Sequence, residues 1–318
     1  MMIHTRNLVT TKDGEKIAVW KIVDSKIANT VTDTLTTNTS VIKPQNIFLT
    51  HGTFSDKQTC LKIAEYLAGL GHHCYIMEWR GHGSSSTPKE KFNFETVATY
   101  DYEATFRYFF DELKFDNLHC ITHSGGGIGL IMFLIQNQCY IDKINSISMF
   151  ACQAYGAASK PISHAKIIAA KTLTRLLGRI PAKKLKMGAC DESDYTMRQW
   201  YDWNLQQNFN SSFIKKGTFN QPSRSTSDGD EPLDYRQQMP NITVPIYAIS
   251  AKGDKFISPA YGCRQLFDDF KNPDNVFREY SRSNGDLDDY THSRIMVSRN
   301  AATEIWPTVT AWIKKHSS

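Results

Sequence analysis

Residues 118–129 read Leu-His-Cys-Ile-Thr-His-Ser-Gly-Gly-Gly-Ile-Gly, a short apolar β-run that enters a glycine-rich turn and leaves it on a stretch of helical character, Gly125 to Gln136. A strand that bends this tightly into a helix lifts the side chain at the bend, Ser124, clear of the sheet. Small neighbours are required there because backbone and helix approach closely. The usual nucleophile pattern is G-x-S-x-G; here Thr122 stands at the first glycine position, a small residue and a mild departure. Taken alone, the same turn also suits a serine that merely caps the following helix.

Outward from this turn, short apolar runs recur: IFLT (47–50), CYIMEW (74–79), LHCIT (118–122), ISMFA (147–151) and VPIYAIS (244–250). Helical stretches separate them. Ile63, Leu67 and Leu70 repeat at helical spacing before Gly71, as do Ile305, Val309 and Trp312 near the C-terminus. Such alternation predicts a mostly parallel α/β sheet with helices on both faces. Before it, Asp13-Gly14 separates two β-favouring runs, Asn7 to Thr11 and Lys16 to Val23, and predicts an antiparallel hairpin. Residues 26–40, rich in Thr, Asn and Ser, read as a solvated loop.

The rhythm breaks between 155 and about 240, where no comparable β-run occurs; a structureless loop of that length is improbable, so a helical cap is expected. The domain plan is therefore a core of 1–154 and 241–318 with a cap of 155–240. Within the cap, Leu173, Leu176, Leu177 and Ile180 form one face of a helix and Lys171, Arg175 and Arg179 a separate basic stripe.

Composition bounds the function without deciding it. With 41% apolar and 22% charged residues, the 318-residue chain is of ordinary globular make-up, and a net charge of +5 does not call for a nucleic-acid partner. Seven scattered cysteines contain no C-x-x-C pair and no Cys/His cluster of zinc spacing, so no metal is expected and a reducing, cytoplasmic location is the simpler reading. The first twenty residues lack the apolar stretch of a signal peptide.

The order of motifs resembles the α/β-hydrolase superfamily over about 46–154 and 241–315. His51-Gly52-Thr53-Phe54 follows a strand as that superfamily's H-G-x oxyanion loop does, and Trp79-Arg80-Gly81-His82-Gly83-Ser84-Ser85 resembles its R-G-x-G-x-S turn. Ser250-Ala-Lys-Gly-Asp254, after the strand VPIYAIS, is similar to the loop that carries the acid. His292 lies before the last helix, where the family places its histidine. The resemblance implies Ser124 as nucleophile, Asp254 as acid, His292 as base, and the backbone N–H groups of Thr53 and Gly125 as oxyanion donors. More weakly, Leu177-Gly178, Lys183-Lys184-Leu185 and Trp200 to Asn204 look similar to an uncharacterised bacterial hydrolase branch, and the Thr291-His292-Ser293 region to acid lipases.

The residue chemistry agrees with these roles. A serine hydroxyl needs a base to take its proton and a carboxylate to orient that base. Of the ten histidines, His123 sits on the elbow itself, His51 and His82 in glycine turns and His316 at the terminus, which leaves His292 the best placed. Asp286, Asp288 and Asp289 are rival acids, read as a solvated loop face because they adjoin His292 in sequence. The expected activity is hydrolysis of carboxylic esters of a small-molecule, apolar acyl substrate without a cofactor. A thioesterase or carbon–carbon bond hydrolase would use the same triad, and a non-catalytic binding protein would be expected to lack one member of it. Trp200, Trp203, Phe209 and Phe213 suit either an acyl-binding wall or plain core. The basic cap helix suits either contact with an anionic membrane surface or a solvated face whose apolar side closes the active site; the solvated reading is preferred here.

Overall fold

Asp13-Gly14 turns the chain back on itself, with Gly14 at a left-handed φ of 91° and its N–H donating to the Thr11 carbonyl. The turn joins β1 (Met2–Thr10) to β2 (Lys16–Asp24) in an antiparallel pair whose register runs from Met2 opposite Asp24 to Thr10 opposite Lys16. The computed structural model describes residues 1–28, 43–215 and 231–317. Ser25–Ala28 form a single helical turn. The rest of the expected loop at 26–40 lies outside the described residues.

The five apolar runs become parallel strands, β3 (Asn46–Thr50), β4 (His73–Met77), β5 (His119–His123), β6 (Ser146–Phe150) and β7 (Ile246–Ala251), and Val276–Tyr280 adds a sixth, β8. With the hairpin they make one eight-stranded sheet in the order β1-β2-β4-β3-β5-β6-β7-β8, antiparallel only where β2 meets β1 and β4. Strands buried on both faces are continuous apolar runs because each face must be covered. In β3, Ile47 and Leu49 point into one core cluster and Phe48 into the other. The first cluster includes α1 (Gln58–Gly69) and α6 (Arg299–Lys315); the second includes the helical stretch 94–112 and α2 (Gly125–Gln136).

Between β6 and β7 the chain forms α3 (Pro161–Leu177) and α4 (Asp194–Gln206), which pack on each other. Two small antiparallel ribbons accompany them, one pairing Arg179–Ile180 with Glu192–Ser193, the other pairing Asn210–Lys215 with Pro232–Asp234. The segment is thus mixed rather than purely helical: pieces of two to six residues bear no periodicity to read. A second difference concerns α3. Its apolar side was expected to close the active site; Leu173, Leu176 and Leu177 are exposed, and the buried residues of the helix are Ile167 and Thr174.

Buried polar groups tie these layers together. The Arg80 guanidinium is shared between Asp101 (2.7 Å) and Asp13 (2.7 and 3.0 Å), which pins the hairpin turn to the sheet. Glu95, fully buried, accepts hydrogen bonds from Ser211, from the Ser212 N–H (2.7 Å) and from the Tyr235 hydroxyl (2.6 Å). That carboxylate fastens the inserted segment to the helical stretch 94–112.

Candidate active site

Ser124 sits at the end of β5 with φ 54° and ψ −126°, a sparsely populated conformation held by its N–H bond to the Phe150 carbonyl (2.8 Å) and by the first turn of α2. The bend is possible only because its neighbours lack side chains. A Cβ on Gly52 would come within 2.7 Å of the Ser124 Cβ, so the loop after β3 can pass the elbow only as glycine. Thr122 at the usual glycine position is accommodated by Gly127, whose own Cβ would stand 3.0 Å from the Thr122 hydroxyl oxygen.

The two partners arrive from the far side of the sheet. Asp254 follows β7, and its carboxylate accepts N–H bonds from Phe256 (3.3 Å), Ile257 (3.1 Å) and Ser258 (3.0 Å). His292 donates from Nδ1 to Asp254 Oδ2 at 2.6 Å, and its Nε2 lies 2.9 Å from Ser124 Oγ. A carboxylate can only accept, so Nδ1 carries the proton and Nε2 is left free to accept from the serine. Burial alone would raise the Asp254 pKa, but the bond and charge of His292 and the backbone N–H groups of Ser258 and Phe256 outweigh it and hold the carboxyl below its ordinary value. Gly253 supplies the clearance: a Cβ there would meet the Asp289 carbonyl at 2.3 Å, so the acid and histidine loops touch only because this position is glycine.

The other candidates separate cleanly. His123 donates from Nε2 to the His292 carbonyl (2.9 Å), and burial, with the neighbouring His292 ring, pushes its imidazole down to about 3. His51 bridges the Gly52 carbonyl and the Trp79 N–H within the core. Among the rival acids, Asp286 is not solvated but buried, accepting from the Ser281 N–H and Arg278. Asp288 pairs with Arg294 and Arg282, and Asp289 accepts the Arg282 N–H.

Thr53 and Gly125 line the same small crevice as the Ser124 side chain, with Phe54, Phe94, Ile128, Met197, Trp200 and Ile257. Gly125 is the first residue of α2, where an N–H has no acceptor in the preceding turn and the helix end is electropositive. Beside the crevice is an apolar chamber of about 200 Å³ that shares Phe54, Met197, Trp200 and Ile257 with it and extends past Ala170, Leu173, Leu185 and Met187. Trp200 therefore stands between the two. Trp203 lines neither; its ring packs edge-on against Phe209 and its Nε1 donates to the Asn210 carbonyl (2.8 Å). Phe209 is fully buried and Phe213 exposed.

A sequence profile described as alpha/beta hydrolase fold matches residues 46–282, well over half of the chain. The chain belongs to the alpha/beta hydrolase fold family. Solved structures of the same fold include a thermophilic esterase from Thermogutta terrifontis, at 14% identity and a TM-score of 0.60 over 98% of this chain and 100% of that one. Alpha/beta hydrolase domain-containing protein 10 from mouse matches at 14% identity and a TM-score of 0.61, over 98% and 100%. A monoacylglycerol lipase from Paleococcus ferrophilus matches at 18% and 0.57, over 86% and 96%. At such identities the likeness is one of fold. Among curated protein sequences none matches this chain. In this alpha/beta hydrolase the sheet order turns around between β3 and β5, and the crevice lies where open α/β sheets hold their ligands, at the carboxyl ends of the strands.

One group near the site had no prominent sequence signal. Glu192, from the first small ribbon, accepts the Phe54 N–H (3.2 Å) and pairs with His82 (2.7 Å), while Cys190 N–H donates to the Phe54 carbonyl (3.0 Å). Both backbone groups of the residue after Thr53 are thus held by the inserted segment. Only Glu192's position two residues after a cysteine in an acidic run hinted at anything, and that run reads equally as surface.

Proposed function

We propose that the chain is a serine hydrolase that cleaves carboxylic esters of apolar acyl groups. Ser124 Oγ attacks the ester carbonyl as His292 Nε2 takes its proton, and the tetrahedral oxyanion is held by the Thr53 and Gly125 N–H groups. Collapse expels the alcohol, which receives the proton back from His292. Water, deprotonated by the same imidazole, then releases the acid from the acyl-enzyme. Asp254 keeps the imidazole in the tautomer the cycle needs and stabilises the imidazolium that forms.

The observation that carries this reading is the continuous hydrogen-bonded line Asp254–His292–Ser124, with a serine held in a strained elbow facing the crevice that Thr53 and Gly125 also line. In the same reading, residues 155–240 are a cap over the core, and the chamber beyond Trp200 takes the acyl chain. Its lining is almost entirely apolar, which favours a hydrocarbon chain over a polar acid. The test is a panel of p-nitrophenyl esters of graded acyl length with purified protein. Turnover that rises from acetate to medium-length acyl groups supports the reading, and absence of turnover across the panel refutes it.

A further inference from the structure

The segment from Lys160 to Cys190 contains eight lysines and arginines and no aspartate or glutamate. Among the described residues, seven of the fifteen exposed large apolar side chains also fall here, between Ile162 and Met187. Leu173, Leu176 and Leu177 share one face of α3 and are 58%, 79% and 57% exposed, and Leu185 and Met187 emerge beside them. Four of these, Leu173, Leu177, Leu185 and Met187, line the apolar chamber, so the exposed patch is its rim. Lys183, Lys184 and Lys186 alternate with the rim residues and are themselves exposed. Among the described residues, Lys171 is the one cation of this segment in an ion pair, with Asp202.

A soluble protein gains nothing from holding several leucines in water, and a contiguous exposed apolar patch marks an interaction surface. Here cations predominate around the patch, against two acids beside it: Asp191, whose carboxylate accepts the Lys183 N–H (3.0 Å), and Asp202, paired with Lys171. That combination matches the interfacial region of an anionic bilayer, where leucines enter the headgroup–acyl boundary and lysines meet lipid phosphates while their stems lie along apolar surface. We propose that the face formed by the exposed side of α3 and residues 183–187 adsorbs to anionic lipid, setting the chamber rim at the bilayer surface. An apolar substrate dissolved in the lipid would then reach the chamber without crossing water.

Adsorption does not depend on Ser124 chemistry, so it is measured on wild-type and Ser124→Ala protein alike by co-sedimentation with vesicles. Vesicles of phosphatidylcholine with phosphatidylglycerol are expected to bind the protein far better than phosphatidylcholine alone, with binding weakened by salt. The triple variant Lys183→Gln, Lys184→Gln, Lys186→Gln should lower partitioning on the order of a hundredfold, at roughly 1 kcal/mol per basic residue. Leu176→Asp should lower it on the order of tenfold or more. Leu176 and the three lysines lie outside the crevice and chamber, and hydrolysis of a short soluble ester, or an unchanged melting temperature, reports an intact fold. Failure of the wild type to bind anionic vesicles at low salt would overturn the proposal, as would binding that ignores both variants. A stable dimer that Leu176→Asp dissolves, in protein that does not bind vesicles, would instead assign the face to a second copy of the chain.

Discussion

His82 Nε2 lies 2.7 Å from Glu192 Oε1, both side chains almost wholly buried, and the same carboxylate oxygen accepts the N–H of Phe54, the residue after Thr53. His82 Nδ1 also donates to the Arg80 carbonyl (3.0 Å), so both ring nitrogens face acceptors and the imidazolium form is favoured. Burial by itself would lower the His82 pKa, but the Glu192 charge and hydrogen bond outweigh it and raise the pKa above its ordinary value. A raised histidine contributes stability that is fully present below its unfolded pKa and is lost as pH rises through the folded one. Glu192→Gln should therefore destabilise most at mildly acidic and neutral pH, and the gap to wild type should narrow as pH rises. Thermal melts across that range check it; a gap independent of pH would mean that the pair is not charged. Glu192→Ala, which also leaves His82 without its partner, should cost about 3–5 kcal/mol.

Ser124→Ala should abolish ester turnover and labelling by a fluorophosphonate, because only an activated serine reacts readily with that probe. Labelling that persists in the variant would point to another nucleophile.

Asp254→Asn should keep the fold and lower kcat by a factor on the order of 10⁴, since an amide at this place favours the wrong imidazole tautomer. The wild-type carboxyl is depressed, so its support for His292 should persist below the usual carboxylate range and fail only as pH falls through the lowered value. The kcat of wild type and variant at neutral pH reads the first effect, and thermal melts of both at acid pH read the second.

His292→Ala should lower kcat by several orders of magnitude, while His123→Phe should leave most activity. The His123 ring, pushed down to about 3, stays neutral through the working range; it packs against the His292 ring, 4.8 Å between centroids, and its hydrogen bond goes to the His292 backbone carbonyl, not to the imidazole. Equal losses in the two variants would show that the base has been misassigned.

Trp200→Ala should shift preference among acyl lengths more than it changes acetate hydrolysis, since a contact with the distal chain cannot stabilise the transition state of a substrate that lacks it. Trp203→Ala should leave that profile alone and cost about 3–5 kcal/mol of stability, as the loss of a buried tryptophan does. Kinetics on the graded esters together with denaturant unfolding separates the two.

Much of this was legible in the residues because local patterns carried it. The five apolar runs and the Asp13-Gly14 turn became strands and hairpin at nearly the expected places, since strand burial and turn geometry are set by neighbours within a few residues. Ser124, Asp254 and His292 could be nominated from the motifs that flank them. Their approach to within 2.6 and 2.9 Å, across separations of 38 and 168 residues, depends on how the strands align. The same holds for Gly253, which reads as a spacing irregularity until the Asp289 carbonyl is seen against it.

What only the tertiary structure decided lies mostly between β6 and β7. An amphipathic helix announces that it has an apolar face but not what that face meets, and the leucines of α3 turned out to border a chamber and face solvent. Trp200 and Trp203 are equivalent as letters; three residues apart on α4, one reaches the chamber and the other the core beside Phe209. Glu192 belongs to an acidic run in the chain and to a buried pair with His82 in space, 110 residues away. Periodicity encodes the secondary structure and the position of the elbow, whereas the partner of each side chain is chosen by packing between segments far apart in sequence, where no local pattern can register it.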